Sequence, residues 1–207
     1  MNGGFAEYII IDKNFIKNGP IIKISKKINH KFTCLSESLA CVINGIEYAD
    51  LKSSNSVLIL GSGYMGILFV LLSKKLYKFK NVCIVDLNSK RLKIAKLIGA
   101  DKSLVGNISN YKIQKRILKL NNNQKFDFVV SANNNINSHR VAPNFVTHGG
   151  NINLFGGIPK GQDDKIILSS NFIHYSQIKI GGTFSSDINH FKKAINFILK
   201  NKNIVGS

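Results

Sequence analysis

Acidic side chains, arginine, cysteine and long apolar runs are all scarce in this sequence. Of 207 residues, 11 are Asp or Glu against 29 Lys or Arg, and the formal net charge is +18. Only three of the cations are arginines, Arg91, Arg116 and Arg140. A surface that reads nucleic acid leans on arginine forks, which grip phosphates and guanine edges through paired hydrogen bonds. Here the cations are lysines, accompanied by abundant Ile and by asparagine runs such as Asn121-Asn122-Asn123 and Asn133-Asn134-Asn135. Lys, Asn and Ile share A/T-rich codons, so base composition accounts for the charge and no nucleic-acid partner is expected.

The three cysteines, Cys34, Cys41 and Cys83, are too few and too odd in number for a disulfide framework. They point to a reducing compartment, and a cytoplasmic location is expected. The longest apolar run, Ile67–Leu72, is closed by Ser73-Lys74-Lys75. It falls far short of the roughly 20 residues that span a bilayer, so no membrane association is expected. No charged stretch leads into an apolar one near Met1, and no signal peptide is expected. With 44% hydrophobic residues the chain has material for a packed core.

Periodicity organises that material. Ala6–Ile11 reads as a short strand, and Ile21–Ile24 as another after the turn Asn18-Gly19-Pro20. Leu35, Leu39, Val42, Ile43 and Ile46 then recur at helical spacing. From Ser56 onward strand and helix alternate. Ser56–Leu60, Val82–Val85, Phe126–Val130 and Asn151–Phe155 are clear strands, and Ser103–Val105 and Ile178–Ile180 are weaker ones. Helices are expected over Ser89–Ile98, with Ser89 as N-cap and Gly99 as stop, around Ile113, Ile117 and Leu120, and over Phe191–Leu199. This alternation predicts an α/β fold, a doubly wound parallel sheet with helices on both faces.

One junction carries chemistry. Gly61-Ser62-Gly63-Tyr64-Met65-Gly66 follows the strand Ser56–Leu60 and opens the helical run that includes Ile67, Leu68, Val70 and Leu71. Gly61 suits a tight turn, Gly63 lets backbone approach a pyrophosphate, and Gly66 lets the helix pack near the strand. The helix N-terminus then offers N–H groups and a partial positive charge to the phosphates. Asp86 ends the next strand 20 positions after Gly66, where a carboxylate bonds the adenosine ribose hydroxyls. NAD is therefore the expected ligand. Asp86 disfavours a 2′-phosphate, whereas Arg91, five positions on, lies over the adenine side or admits NADP by pairing with that phosphate.

By this point the chain resembles the zinc-type medium-chain alcohol and polyol dehydrogenases, the group of sorbitol and threonine dehydrogenases. The resemblance covers nearly the whole chain and rests on five segments in order. Gly3-Gly4-Phe5-Ala6-Glu7-Tyr8 is similar to the stretch that returns to the family's catalytic domain. Glu37-Ser38-Leu39-Ala40-Cys41-Val42 is similar to its Glu-Pro-Leu-Ala-Cys-Val segment, with Ser38 for Pro. Gly149 to Gly157, containing Leu154, Phe155 and Gly156, resembles the strand beside the nicotinamide. Asn171-Phe172-Ile173-His174-Tyr175 and Gly182-Thr183-Phe184 resemble later landmarks.

The resemblance implies an oxidoreductase that moves hydride from a secondary alcohol to NAD, with an alcohol or polyol as substrate and zinc to polarise it. It places Leu154, Phe155, Gly156 and Thr183 at the cofactor and Glu37 near the zinc. It also implies a GroES-like catalytic segment over 1–34 and a dinucleotide-binding domain over 35–207. The family's other zinc ligands, a Cys and a His-Glu pair, precede the Gly-Gly-Phe-Ala-Glu-Tyr motif. Its four-cysteine lobe has no counterpart, and Asn133-Asn134 stand where the family has a small Gly-containing turn. The expectation is a partial chain, truncated at both ends and either marginally stable or driven to associate through strands without partners, with a homo-oligomer as the associated form. The alternative is a non-catalytic NAD-binding or scaffold protein, or a degenerate remnant.

No catalytic residue is assigned. Cys34, Glu37 and Cys41 share helical spacing, but three ligands along two turns span about 10 Å, too far to meet one ion. The histidines, His30, His139, His148, His174 and His190, are scattered; the family frame offers His174 a place near the cofactor, but a packed or surface role is the expected one. Ser36 and Ser38 lack an adjacent base.

Overall fold

Strands that are apolar along their whole length have no face to give to water, so only a sheet covered on both sides can bury them. The computed structural model describes residues 6–19, 21–24, 30–51 and 55–201 and shows such a sheet. In chain order the elements are α1 (Lys13–Asn18), α2 (His30–Thr33), α3 (Ser36–Glu47), β1 (Ser56–Leu60), α4 (Tyr64–Lys75), β2 (Asn81–Asp86), α5 (Ser89–Ile98), β3 (Lys102–Val105), α6 (Tyr111–Lys119), β4 (Phe126–Ser131) and α7 (Ile136–Val141). A 3₁₀ turn at Ala142–Phe145, β5 (Val146–Asn153), α8 (Ser170–Ser176), β6 (Lys179–Gly181) and α9 (Ile188–Lys200) complete the series. The six strands lie in the order β3-β2-β1-β4-β5-β6, every neighbouring pair parallel. That is the doubly wound order whose direction reverses between β1 and β4.

Alternate side chains of the strands go to opposite faces. Val57 and Ile59 of β1 join Val82, Ile84, Phe128 and Val130 on one face, against α3, α4, α5 and α9. Leu58 and Leu60 join Cys83, Val85 and Val129 on the other, with Ile117 of α6 and Phe145. Phe126 and Phe128 would share a face in a regular strand, yet they lie on opposite ones. The ladder between β4 and β5 is irregular between them: Phe126 pairs with Val146 and Phe128 with Asn151, so the extra residues lie in β5.

Several expectations change. Ala6–Ile11 and Ile21–Ile24 are not strands, and the described residues among 6–24 hold only α1. Strand propensity is expressed only when a ladder partner satisfies the backbone, and no described strand lies beside these residues. The expected β-rich segment is therefore not seen there. Gly3-Gly4-Phe5 and Pro20 lie outside the described residues. The cap of α5 is Asn88, whose side chain accepts from the N–H groups of Lys90 and Arg91, so Ser89 is the first helical residue instead. Gly99, at φ 132°, does end that helix. The short helices α7 and α8 carry too few apolar residues to show a period and were not expected.

Candidate dinucleotide-binding crevice

The chain turns immediately after β1. Gly61 takes φ 105°, a region that disfavours any Cβ, and its N–H donates to the Val85 carbonyl at 2.8 Å, tying the turn to β2. A Cβ on Gly66 would lie 2.0 Å from the Gly61 carbonyl oxygen, so only glycine lets α4 start so near the strand. Gly63 is different. It is the N-cap of α4 at φ −65°, and a Cβ there would meet nothing within 4 Å. The fold itself requires Gly61 and Gly66, and only an occupant of the adjoining space would require Gly63.

No side chain caps α4. Asn88, Asn110, Asn135, Ser169 and Asp187 cap α5 to α9 in turn. The first N–H groups of α4 thus lack a side-chain acceptor and carry the positive end of the helix dipole. Ser62 Oγ, beside them, is buried without a hydrogen-bond partner. An open glycine, an uncapped helix start and an unmatched hydroxyl together fit a pyrophosphate. Tyr64 is exposed, and Met65 is half-buried against the core.

Asp86 ends β2 beside this loop. One carboxylate oxygen accepts the Ser62 N–H at 2.5 Å and the other the Asn88 N–H at 2.8 Å. The carboxylate thus holds both the glycine loop and the start of α5 while lining a cavity of about 170 Å³ with Gly61, Leu87, Gly106, Ile108 and Asn133. Arg91 is exposed on the first turn of α5. A larger cavity, about 600 Å³, opens between Ser56, Asn81, Asp127 and Thr147 at the opposite end of the sheet. We place the site at the smaller one, because ligands of open parallel sheets bind beyond the carboxyl ends of the strands, where the order reverses.

Leu154, Phe155, Gly156 and Thr183 do not line that cavity; they form a separate group just after β5 and β6. Leu154 N–H donates to the Gly181 carbonyl, and Phe155 packs edge-on against Phe69 of α4, ring centres 4.9 Å apart. Gly156 sits so close to Asn133 that a Cβ would lie 1.9 Å from the Asn133 carbonyl oxygen. Thr183 Oγ1 accepts from Asn153.

Asn133, Asn135 and Ser138 were missed as lining residues. Asn133 donates from Nδ2 to the Leu60 carbonyl and accepts on Oδ1 from Ser138 and from the Asn135 N–H. It bridges β1, the turn after β4 and α7. The asparagine run was visible, but its partner Leu60, 73 positions away, was not. His139 is buried beside it, hydrogen-bonded to the backbone of Gly156 and Asn133, with Nε2 unpartnered. Burial holds its pKa below the ordinary value despite those hydrogen bonds. His174 and Tyr175 stack edge-on with each other, exposed on α8 and outside the residues lining the crevice.

A zinc site does not fit the described residues. Among them no three His, Cys, Asp or Glu side chains gather in ligand geometry. Glu37 is exposed near the start of α3, and Cys41 Sγ donates to its Oε1 at 3.2 Å. Burial, together with that bond, pushes the Cys41 thiol up to about 11, so it is protonated and a poor metal ligand. Cys34 turns its thiol to the Lys31 carbonyl instead. Among the described residues no helix is long and apolar enough to cross a membrane.

Comparison with known proteins agrees with this architecture. D-altritol 5-dehydrogenase of Agrobacterium fabrum is 27% identical over 192 residues, 91% of this chain and 52% of that protein. L-threonine 3-dehydrogenase of Stenotrophomonas maltophilia is 29% identical over 171 residues, 81% of this chain and 47% of that one. An alcohol dehydrogenase from Escherichia coli CFT073, solved with NADH, superposes with a TM-score of 0.74 at 20% identity, over 86% of this chain and 50% of that one. The chain thus spans about half the length of the curated relatives it matches. Residues 65–200 match the family model described as zinc-binding dehydrogenase. That match takes in the larger part of the chain, from the glycine loop to the last helix, and the chain belongs to the zinc-binding dehydrogenase family.

Proposed function

We propose that this chain is the NAD-binding part of an oxidoreductase that takes hydride from a secondary alcohol, with an alcohol or polyol as substrate. The observation that carries the reading is the contrast among the loop glycines. Gly61 and Gly66 are packed tight, while Gly63 faces open space at an uncapped helix N-terminus. The relatives named as altritol and threonine dehydrogenases support the substrate class. When bound, the dinucleotide supplies a nicotinamide ring that accepts hydride. The chain's own residues bind and orient it. Gly63 and the α4 N–H groups receive the pyrophosphate, Asp86 the adenosine ribose, and Leu154, Phe155, Gly156 and Thr183 wall the ring side. The Asp86 charge favours NAD over NADP, and Arg91 sets how strictly.

The burial pattern supports a boundary near residue 35. From Ser36 on, α3 enters the sheet's core, whereas residues 6–10 lie exposed, among them Tyr8, Ile9 and Ile10. We assign residues 1–34 to a catalytic unit and infer association between copies through its apolar surface. Three free thiols fit a cytoplasmic setting. Glu37 would be a zinc ligand only beside groups from outside the described residues, and no step is routed through it. The engagement of Glu37 by a protonated thiol favours a second reading, a dinucleotide-binding protein that does not itself turn over alcohols.

The test is calorimetry with NAD and NADP. The parent should bind NAD more tightly, Asp86→Ala should narrow that preference, and Gly63→Val should abolish binding of both while the protein stays folded. Unchanged binding in Gly63→Val would refute the assignment. Stoichiometric zinc by elemental analysis, together with NADH formation from polyols, would exclude the second reading.

A further inference from the structure

Asn153 is the last residue of β5 and is wholly buried. An amide in such a place is costly unless its polar atoms find partners. Its Nδ2 donates twice, to the Gly45 carbonyl at 2.9 Å and to Thr183 Oγ1 at 3.1 Å. Its Oδ1 is buried without a partner.

The Gly45 carbonyl lies in the last turn of α3, where helical carbonyls have no partner within the helix. The Ala49 N–H, which would otherwise serve it, bonds to Ile46 instead. Gly45 is also shaped to the contact, since a Cβ there would lie 3.2 Å from Asn153 Nδ2, 2.9 Å from Phe69 and 3.2 Å from Phe155. One side chain therefore joins the end of α3, the end of β5 and the loop after β6, across sequence separations of 108 and 30 residues.

A leucine, with the same number of side-chain heavy atoms, would remove the unmatched Oδ1 and would take the donor away from the Gly45 carbonyl. Retention of an amide with an unmatched acceptor is a local conflict of the kind proteins keep at functional sites. The two segments that it aligns are Leu154-Phe155-Gly156, which follow it directly, and Thr183. We propose that Asn153 is a positioning residue that fixes these two segments as one wall on the nicotinamide side of the crevice. The inference rests on the dinucleotide reading above. Only a ligand that carries the nicotinamide ring meets this wall. ADP-ribose ends before the ring and depends on the glycine loop and Asp86.

The experiment measures NAD and ADP-ribose affinities for the 207-residue chain, for Asn153→Leu, for Thr183→Val and for the double variant. Asn153→Leu should lose on the order of tenfold in NAD affinity, about 1.4 kcal/mol, with ADP-ribose binding unchanged. Thr183→Val should shift NAD in the same direction. In the double variant the two losses should not add, because each removes the same bond. A merely structural role would instead weaken both ligands together. If Asn153→Leu does not fold, Asn153→Ser, which removes the amide without adding bulk, takes its place in the comparison. Parallel loss of NAD and ADP-ribose, or unchanged NAD binding in the variants, overturns the inference. A parent that binds neither ligand overturns the dinucleotide reading along with it.

Discussion

Ile10 and Ile59 are the same side chain with opposite fates. Ile10 is 95% exposed in an irregular segment, and Ile59 is fully buried in the middle of β1. Both sit in short apolar, β-branched stretches that read alike. β1 becomes a strand because β2 and β4 pair with it residue by residue, Ile59 facing Ile84 and Val130. Residues 8–12 have no such neighbours among the described residues. A strand is a property of a ladder, and local propensity only makes a segment eligible for one.

The comparison can be broken most forcefully by deleting the same atoms in both places. Ile59→Ala should cost about 2–5 kcal/mol through lost burial and a cavity in the sheet core. Ile10→Ala should change stability by less than about 0.5 kcal/mol, as exposed substitutions usually do. Urea unfolding of the two variants checks this, and a large loss in Ile10→Ala would show that residues 6–12 pack on something after all.

Within the core the contrast between glycines is the next largest effect. Gly66→Ala forces a Cβ against the Gly61 carbonyl and should destabilise by about 1–3 kcal/mol or more. Gly63→Ala meets open space at ordinary φ and should leave the melting temperature near that of the parent. Equal melting of the two would mean that the close approach of α4 to β1 is not as drawn.

The smallest effect concerns His139. Its pKa is depressed in the folded protein by burial. As pH falls through the ordinary histidine range, about 6.5, the unfolded chain takes a proton that the folded chain resists. Stability should therefore be full above that range and decline as pH drops towards the folded value. Glu47 is lowered too: burial alone would raise it, and hydrogen bonds from Lys193 and Tyr77 outweigh that. Its contribution is lost only at more acidic pH, below the ordinary carboxylate value of 4.5. Unfolding curves at pH 7.5 and about 5.5 for the parent and His139→Gln separate the histidine. The parent should lose more between the two pH values, and equal losses would remove His139 as the cause.

Sequence alone determined what depends on neighbours a few positions apart. The apolar runs at 57–60, 82–85 and 128–130 made the buried strands legible, and Gly61, Gly63, Gly66 and Asp86 were placed because turn, helix start and strand end are local events. Tertiary structure decided what depends on distant partners. It left Ala6–Ile11 without a ladder, and it separated Gly63 from Gly66, since only the packed molecule shows which hydrogen points at a carbonyl and which at open space. Tertiary structure also set Asn133 between Leu60 and Ser138, and Asn153 between Gly45 and Thr183. Asparagine carries no periodic signal, and its role is set by which backbone atoms the folded chain brings within hydrogen-bonding distance.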